Sequence, residues 1–240
     1  MNHQFVLTLP LLDHSGPTRQ ETTISEARSY RDLAVANSYF GLFSNRTVED
    51  LAAISSSRIL LEERALDSYY NIIFSLIEFW RRFAVWPERL TIVSHAFKRN
   101  RLVDGHCAAI GFPLDRVDFI GINPPGVDAL KLDLAPPSSS SSSATKAATE
   151  TGAAVDGLVS KEKANAMQGV QLAIGQWAED PHGVGEELAG KRRQRNCWNV
   201  DQRFFLDDKE RERSGVDTQL LEHGSETLVE GGRRPWANYN

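Results

Sequence analysis

The stretch Leu90-Thr91-Ile92-Val93-Ser94-His95-Ala96-Phe97-Lys98-Arg99-Asn100-Arg101 changes character at Ser94. Leu90–Val93 is a short, uninterrupted run of β-type residues, the pattern of a strand covered on both faces. From Ala96 to Ile110 the pattern is helical instead. The same alternation recurs on either side. Phe5–Leu12, Arg58–Leu61 and Val117–Ile122 are further β-type runs, and Ile24–Asn37, with Ser25 as its N-cap, and Asp67–Ala84 are further helical patterns. In Asp67–Ala84, Leu66, Tyr69, Ile73, Leu76, Ile77, Trp80 and Phe83 fall on one face, which Ile72 and Phe79 widen. Strands alternating with helices predict an α/β fold, a Rossmann-like parallel sheet with helices on both faces.

Beyond this core the composition breaks at Pro136-Pro137, after which come Ser138–Ser143 and a run of Ala, Thr and Lys. Such a segment buries almost nothing, so residues 136–157 read as a disordered linker between a 1–135 α/β domain and the C-terminal part of the chain. Residues 158–200 read as a helical extension packing on the core. It has a loose apolar face of Met167, Val170, Leu172, Ile174 and Trp177 and is split at Asp180-Pro181-His182-Gly183. Residues 201–240, polar and glycine-rich from Asp207 onward, read as a mostly unstructured tail. A hydrophobic fraction of 41% over 240 residues and a mean hydropathy of −0.37 fit a dense core diluted by two polar segments.

Lys+Arg 27 against Asp+Glu 32 gives a net charge of −5, which offers no bulk positive field for nucleic acid. Cys107 and Cys197 build no disulfide scaffold and lack metal-type spacing. The longest apolar stretch, Ile72–Trp80, is interrupted by Ser75 and Glu78 and is too short to span a bilayer. The start has neither a basic segment nor a small-residue cleavage site, so a soluble cytoplasmic protein without a membrane partner is expected.

In an open parallel sheet, ligands bind beyond the carboxyl ends of the strands. His14–Arg19, Glu62 to Asn71, Ser94 to Arg101 and Asn123–Gly126 come directly after the four expected strands, so the topology predicts their convergence on one edge. Ser94 and His95 leave a strand, and Lys98, Arg99 and Arg101 come next. With a helix beginning near Ala96, its free N–H groups and these cations would suit phosphate or carboxylate. Glu62 with Asp67, Ser68 and Asn71 would suit a ribose hydroxyl or an amine, Ser68 and Asn71 sharing one helix face. Ser15-Gly16-Pro17-Thr18 can bring backbone N–H groups to a phosphate, with one donor lost at Pro17. The plainer alternatives are a cap at Ser94, solvated cations at Lys98 and Arg99, and helix capping by Asp67. Lys191–Arg195 reads as a nuclear signal or, more plainly, a solvated helix end. His106 and Cys107 read as core or surface residues. HExxH, paired CxxC and GxSxG patterns do not occur.

Glu62-Glu63-Arg64-Ala65-Leu66-Asp67-Ser68-Tyr69-Tyr70-Asn71 resembles the Glu…Ser/Thr…Asn block of the domain of unknown function 218 family, which includes the bacterial SanA, ElyC and YdcF proteins. Thr91–Arg101 resembles its second block, a strand followed by an aromatic, a His and an Arg. Ser25–Tyr30, Gly121–Pro125, Trp177…Asp180-Pro181-His182-Gly183 and Lys191–Asn196 are similar to its fungal cytoplasmic branch. The resemblance implies a Rossmann-like fold, and S-adenosylmethionine or another nucleotide-like ligand as cofactor or substrate. Three departures stand out. Pro17 replaces the second glycine of a Ser-Gly-Gly turn, Lys98 occupies the His position, and the strand and helix expected before the turn are missing, as in an N-terminally shortened member.

These readings together predict a small anionic or nucleotide-like metabolite bound by Ser15, Gly16, Glu62, Ser68, Asn71, Ser94, His95, Lys98 and Arg101. Two alternatives stay open. One is a hydrolase or transferase acting on a phosphate-bearing or nucleotide-like substrate, with Glu62 or His95 as base. The other is a non-catalytic scaffold that meets a protein partner through its C-terminal helices.

Overall fold

The computed structural model describes residues 4–8, 21–43, 47, 49–51, 53, 59–122, 175–222 and 224–237. The expected Ser15-Gly16 turn, the segment after Ile122 and the 136–157 linker lie outside these residues.

Three parallel strands pair in the order β1 (Gln4–Thr8), β2 (Arg89–Ser94) and β3 (Val117–Gly121), with β2 in the centre. Phe5 sits opposite Leu90, and Leu90 opposite Val117, so the strands run in step toward one carboxyl edge. The described residues therefore form a mixed helix–strand protein with a three-stranded parallel sheet. A full Rossmann arrangement is not shown among the described residues, where the described part of the expected Arg58–Leu61 strand, residues 59–61, does not pair in a sheet. Residues 59–61 are irregular and lead into a tight turn held by the Glu62 carboxylate, which accepts the Arg64 and Ala65 N–H groups at 2.6 and 3.1 Å. Those bonds commit the chain to turning before a ladder forms.

Helix α1 spans Glu26–Ala36, and the Ser25 hydroxyl accepts the Arg28 N–H at its N-cap, as expected from sequence. Helix α2 spans Ser68–Phe83, starting at the Asp67 N-cap, with Arg81 and Arg82 in its last turn where cations suit the helix dipole. It ends on Ala84 in the left-handed conformation. Every residue from Ser68 to Ile77 is buried, so α2 is a central helix covered on all sides rather than one with a single apolar stripe.

The single helix expected over Ala96–Ile110 is built from three pieces. A 3-10 turn (Ala96–Lys98) leads into a π-helix (Asn100–Cys107) and then one α turn (Ala108–Ile110). Joining parallel β2 to β3, the segment completes a β–helix–β unit.

The C-terminal part corrects the expectation of an unstructured tail. A helical stretch over 175–179 is followed by α3 (Glu186–Arg195), α4 (Asp208–Ser214) and an antiparallel pair, β4 (Thr218–Leu220) and β5 (Glu226–Leu228). A 3-10 turn at Pro235–Ala237 closes the described chain. These elements cover the side of α2 turned away from the sheet. Phe204 packs edge-on against Tyr70 and Phe74, and Tyr70 Oη donates to the Glu226 carbonyl at 3.0 Å. Trp86 Nε1 donates to the Ser214 carbonyl at 3.0 Å. Trp236 is fully buried, meets Trp86 edge-on with centroids 4.7 Å apart, and donates from Nε1 to the Ile110 carbonyl. The Glu226 carboxylate, itself buried, accepts the Phe204 and Phe205 N–H groups and the Thr218 hydroxyl. Three donors on one carboxylate offset its desolvation and fasten the loop to the hairpin.

Candidate functional site

Two groups of buried polar side chains stand out among the described residues. The first leaves β2: Ser94, His95, Lys98 and Arg101 are each less than 9% exposed. The second surrounds the start of α2: Glu62, Asp67, Ser68 and Asn71 are buried to the same degree. Burying this many polar side chains is costly unless they are paired or bind something.

The exit from β2 is fixed against β3. The Ile122 N–H donates to the Ser94 carbonyl at 2.8 Å, and His95 Nδ1 lies 3.1 Å from the Ile122 carbonyl. A carbonyl only accepts, so Nδ1 carries the proton. In the neutral ring the lone pair is then on Nε2, as a general base requires. Phe97 stacks on the ring at 5.1 Å. Gly121 is required here, because a Cβ would sit 2.8 Å from Ala96 Cα. The expected cradle of free N–H groups at an α-helix start is replaced by a three-residue 3-10 turn, so the cluster depends on its side chains. Ser94 Oγ is buried and has no hydrogen-bond partner among the described residues.

Ser68 ties the start of α2 to the helical segment that follows β2. Its hydroxyl is 2.9 Å from His106 Nε2, and His106 is 1% exposed. In a π-helix the bonded residue is i+5, so His106 lies one turn beyond Arg101 on the same side, and both are buried. Ser68 and His106 have the spacing of a nucleophile and its base. Their burial, and the Tyr69 and Trp177 rings packed edge-on against His106, make the pair a staple between helices. Cys107, also buried, has its thiol pushed up to about 12 by burial, which removes it as a nucleophile.

Glu62 is occupied differently from the expected ligand-facing base: its carboxylate closes the 62–65 turn. Asp67 caps α2 at Tyr70 N and also accepts from Arg192 Nη1 at 2.9 Å, in an ion pair with both side chains buried. Burial alone would lower the affinity of Arg192 for its proton; the Asp67 carboxylate more than offsets this, and the guanidinium stays charged. Arg192 also donates to the Gly183 carbonyl and lies 4.3 Å above the Tyr70 ring. The sequence reads it as part of a solvated basic run, and the structure places it inside. Its position three and four residues after Ala189 and Leu188, both buried, is the signal that could have found it. The Asp180-Pro181-His182-Gly183 break is likewise built inward. Asp180 accepts the Val184 and Gly185 N–H groups, and His182 Nδ1 is 2.8 Å from Tyr69 Oη.

The chain is similar to the uncharacterised protein YOR238W of Saccharomyces cerevisiae. Identity is 25% over 201 residues, which is 82% of this chain and 57% of the yeast protein, so the chain spans little more than half of that relative. No family model matches, and no solved structure matches. Among the described residues, no group of three or more His, Cys, Asp or Glu side chains is arranged to hold a metal ion, and no helix is long and apolar enough to cross a membrane.

Proposed function

We propose that this is a small-molecule-binding α/β protein of the cytoplasm, related to the domain of unknown function 218 family and of Rossmann-like architecture, which takes an anionic or nucleotide-like metabolite beyond the carboxyl end of β2. The observation that carries this reading is Ser94 Oγ, a buried hydroxyl at the strand end with no partner among the described residues, in the segment that also buries Lys98 and Arg101. A phosphate or carboxylate oxygen would satisfy Ser94 while the two cations balance its charge. Asn71 would meet a hydroxyl or amine of the same ligand, and Ser15 and Gly16 would close the pocket.

The test is thermal unfolding of the full chain with inorganic phosphate, AMP, ATP and S-adenosylmethionine, for the wild type and for Ser94→Ala and Lys98→Ala. A saturable rise in midpoint with one of these probes, lost in Lys98→Ala and reduced in Ser94→Ala, is expected. No rise with any probe, or equal rises in all three proteins, would overturn the reading.

The tautomer of His95 favours a second reading, a hydrolase or transferase acting on the same ligand class with His95 Nε2 as base. Turnover of a phosphoester or nucleotide that disappears in His95→Gln is its expected sign. Activity that survives this change removes it.

A further inference from the structure

The Asp180-Pro181-His182-Gly183 turn is joined to the first turn of α2 by two links. In one, the Gly183 carbonyl accepts from Arg192, which also pairs with the Asp67 cap of α2. In the other, His182 Nδ1 lies 2.8 Å from Tyr69 Oη. The 175–179 stretch is held at the same place, since the Trp177 ring stacks on Tyr69 and meets His106 edge-on with centroids 4.5 Å apart. Gly183 has φ +62°, and a Cβ there would fall 2.7 Å from the Trp177 ring, so turn and ring are in close contact.

Of the two links, only the His182 bond contains a group that ordinarily changes charge near neutral pH. The Tyr69 phenol is buried and keeps its proton, and His182 is its hydrogen-bond partner among the described residues. The phenol can therefore donate to Nδ1 of a neutral ring. A protonated ring carries hydrogen on both nitrogens. The phenol must then turn round and accept, which takes the acceptor from its own buried proton, or the bond must break. Either outcome is costly inside the protein.

The surrounding charges divide. Arg234, from the C-terminal segment, opposes a cation at His182, while Asp180 on the turn itself and Glu230 after β5 favour one. Arg192 and Asp67 are paired with each other. His106, the other titratable ring packed on Tyr69 and Trp177, is buried and bonded to Ser68. Burial together with Arg234 outweighs the two carboxylates and favours the neutral ring.

We infer that His182 is an acid-sensitive latch, whose protonation breaks the bond to Tyr69 and frees the 175–185 segment from the start of α2 while the α2 core stays folded. His182 is half-buried, so the charged ring has a way to water that the phenol lacks. The closed form is fully favoured above about pH 6.5 and loses that advantage as the ring takes up its proton. The latch stands apart from the strand-end ligand, and its test uses the chain without one.

The experiment is hydrogen exchange of the full chain read by mass spectrometry, with the pH lowered stepwise from about 7.5 to about 5 and each rate corrected for its intrinsic pH dependence. Protection over residues 176–185 should fall severalfold below about pH 6.5, while protection over residues 72–77 holds. His182→Gln, which stays neutral and can still bond Tyr69, should remove the step. Tyr69→Phe keeps the ring without the phenol, so its 176–185 protection should already be lower at the starting pH and fall less on acidification. That variant decides the matter should His182→Gln fail to fold. A step that survives in His182→Gln would place the titration elsewhere, His106 first, and overturn the proposal. Equal losses over 176–185 and 72–77, or protection of 176–185 that does not change with pH, would overturn it as well.

Discussion

His182 shows how one side chain turns burial into a condition on pH. It is half-buried, with Nδ1 against Tyr69 Oη. The Tyr69 phenol, pushed above its ordinary range by burial, keeps its proton and can donate to a neutral imidazole. Burial first, and then the Arg234 cation, hold the His182 pKa below its ordinary 6.5, while Asp180 and Glu230 pull weakly the other way. With a folded value below the unfolded one, the unfolded chain takes up its proton first as the solution is acidified. The stabilisation is complete above about pH 6.5 and drains away as pH falls through the folded value. Urea midpoints should therefore decline as the pH falls below about 6.5, and His182→Gln, which can still hydrogen bond Tyr69, should flatten that decline. Parallel profiles for the two proteins would refute it. Carboxylates do not confuse the window. Glu63, which burial alone would raise, is held low by Arg28 and Ser25, and Glu210, also raised by burial, is held low by Arg81 and the Leu206 N–H. Their contributions are lost only below about pH 4.5.

At the scale of elements, the parts legible in the sequence were those written in local chemistry. Ser25 and Asp67 cap their helices as their side chains predict, and the β2 and β3 runs pair as parallel neighbours. Residues 59–61 were illegible because the contest between a strand and the Glu62-centred turn is settled by a carboxylate lying outside the run. The 96–110 helix was legible in place but not in kind. A π-helix leaves no 3.6-residue signature, and its widened turn makes sense only once Arg101 and His106 are both seen to be buried. Of the site, the residues could be listed from sequence, but the pairing of Ser68 with His106 and of Asp67 with Arg192 is tertiary. The joint between β3 and the turn after β2 gives a paired test. In Gly121→Ala the new methyl meets Ala96 Cα and Cβ, both at 2.8 Å, so the Ala96–Lys98 turn must move. The expected cost is about 1–3 kcal/mol, together with a smaller midpoint rise from whichever phosphate-bearing probe the wild type binds. Gly105→Ala, on the same segment, meets only the Asn100 carbonyl oxygen at 3.7 Å and should be neutral or stabilising by about 0.5–1 kcal/mol. Equal urea midpoints for the two variants would show that the close approach is not a constraint.

At the scale of the molecule, α2 needs two covers, and the second comes from the far end of the chain. Composition hid this, because the segment after Asp207 is polar by average while several of its large apolar residues are placed at joints. Val216, Leu228 and Trp236 are buried, and Arg116 donates to the carbonyls of Trp236 and Ala237, tying the last turn to the start of β3. The signal available in the sequence was on α2 itself. Tyr70 and Phe74 lie off the Tyr69–Ile73–Leu76 face, four residues apart on a face of their own, and two large aromatics are not left to solvent in a helix this apolar. A scaffold role tested by removing residues 158–240 would therefore confuse a lost partner surface with a lost core. Ending the chain after Leu206 should expose Tyr70, Trp86 and Ile110 together, and the product should lose its near-ultraviolet circular dichroism and its cooperative unfolding. Trp236→Ala is the finer probe. It removes the ring packed on Trp86 and the Nε1 bond to Ile110, and should cost about 3–5 kcal/mol. Trp236→Phe keeps part of the packing and should cost less. A chain ending at Leu206 that unfolds cooperatively at the wild-type urea midpoint would mean that the C-terminal cover contributes nothing to the core. In that case the 158–240 deletion becomes a fair test of partner binding.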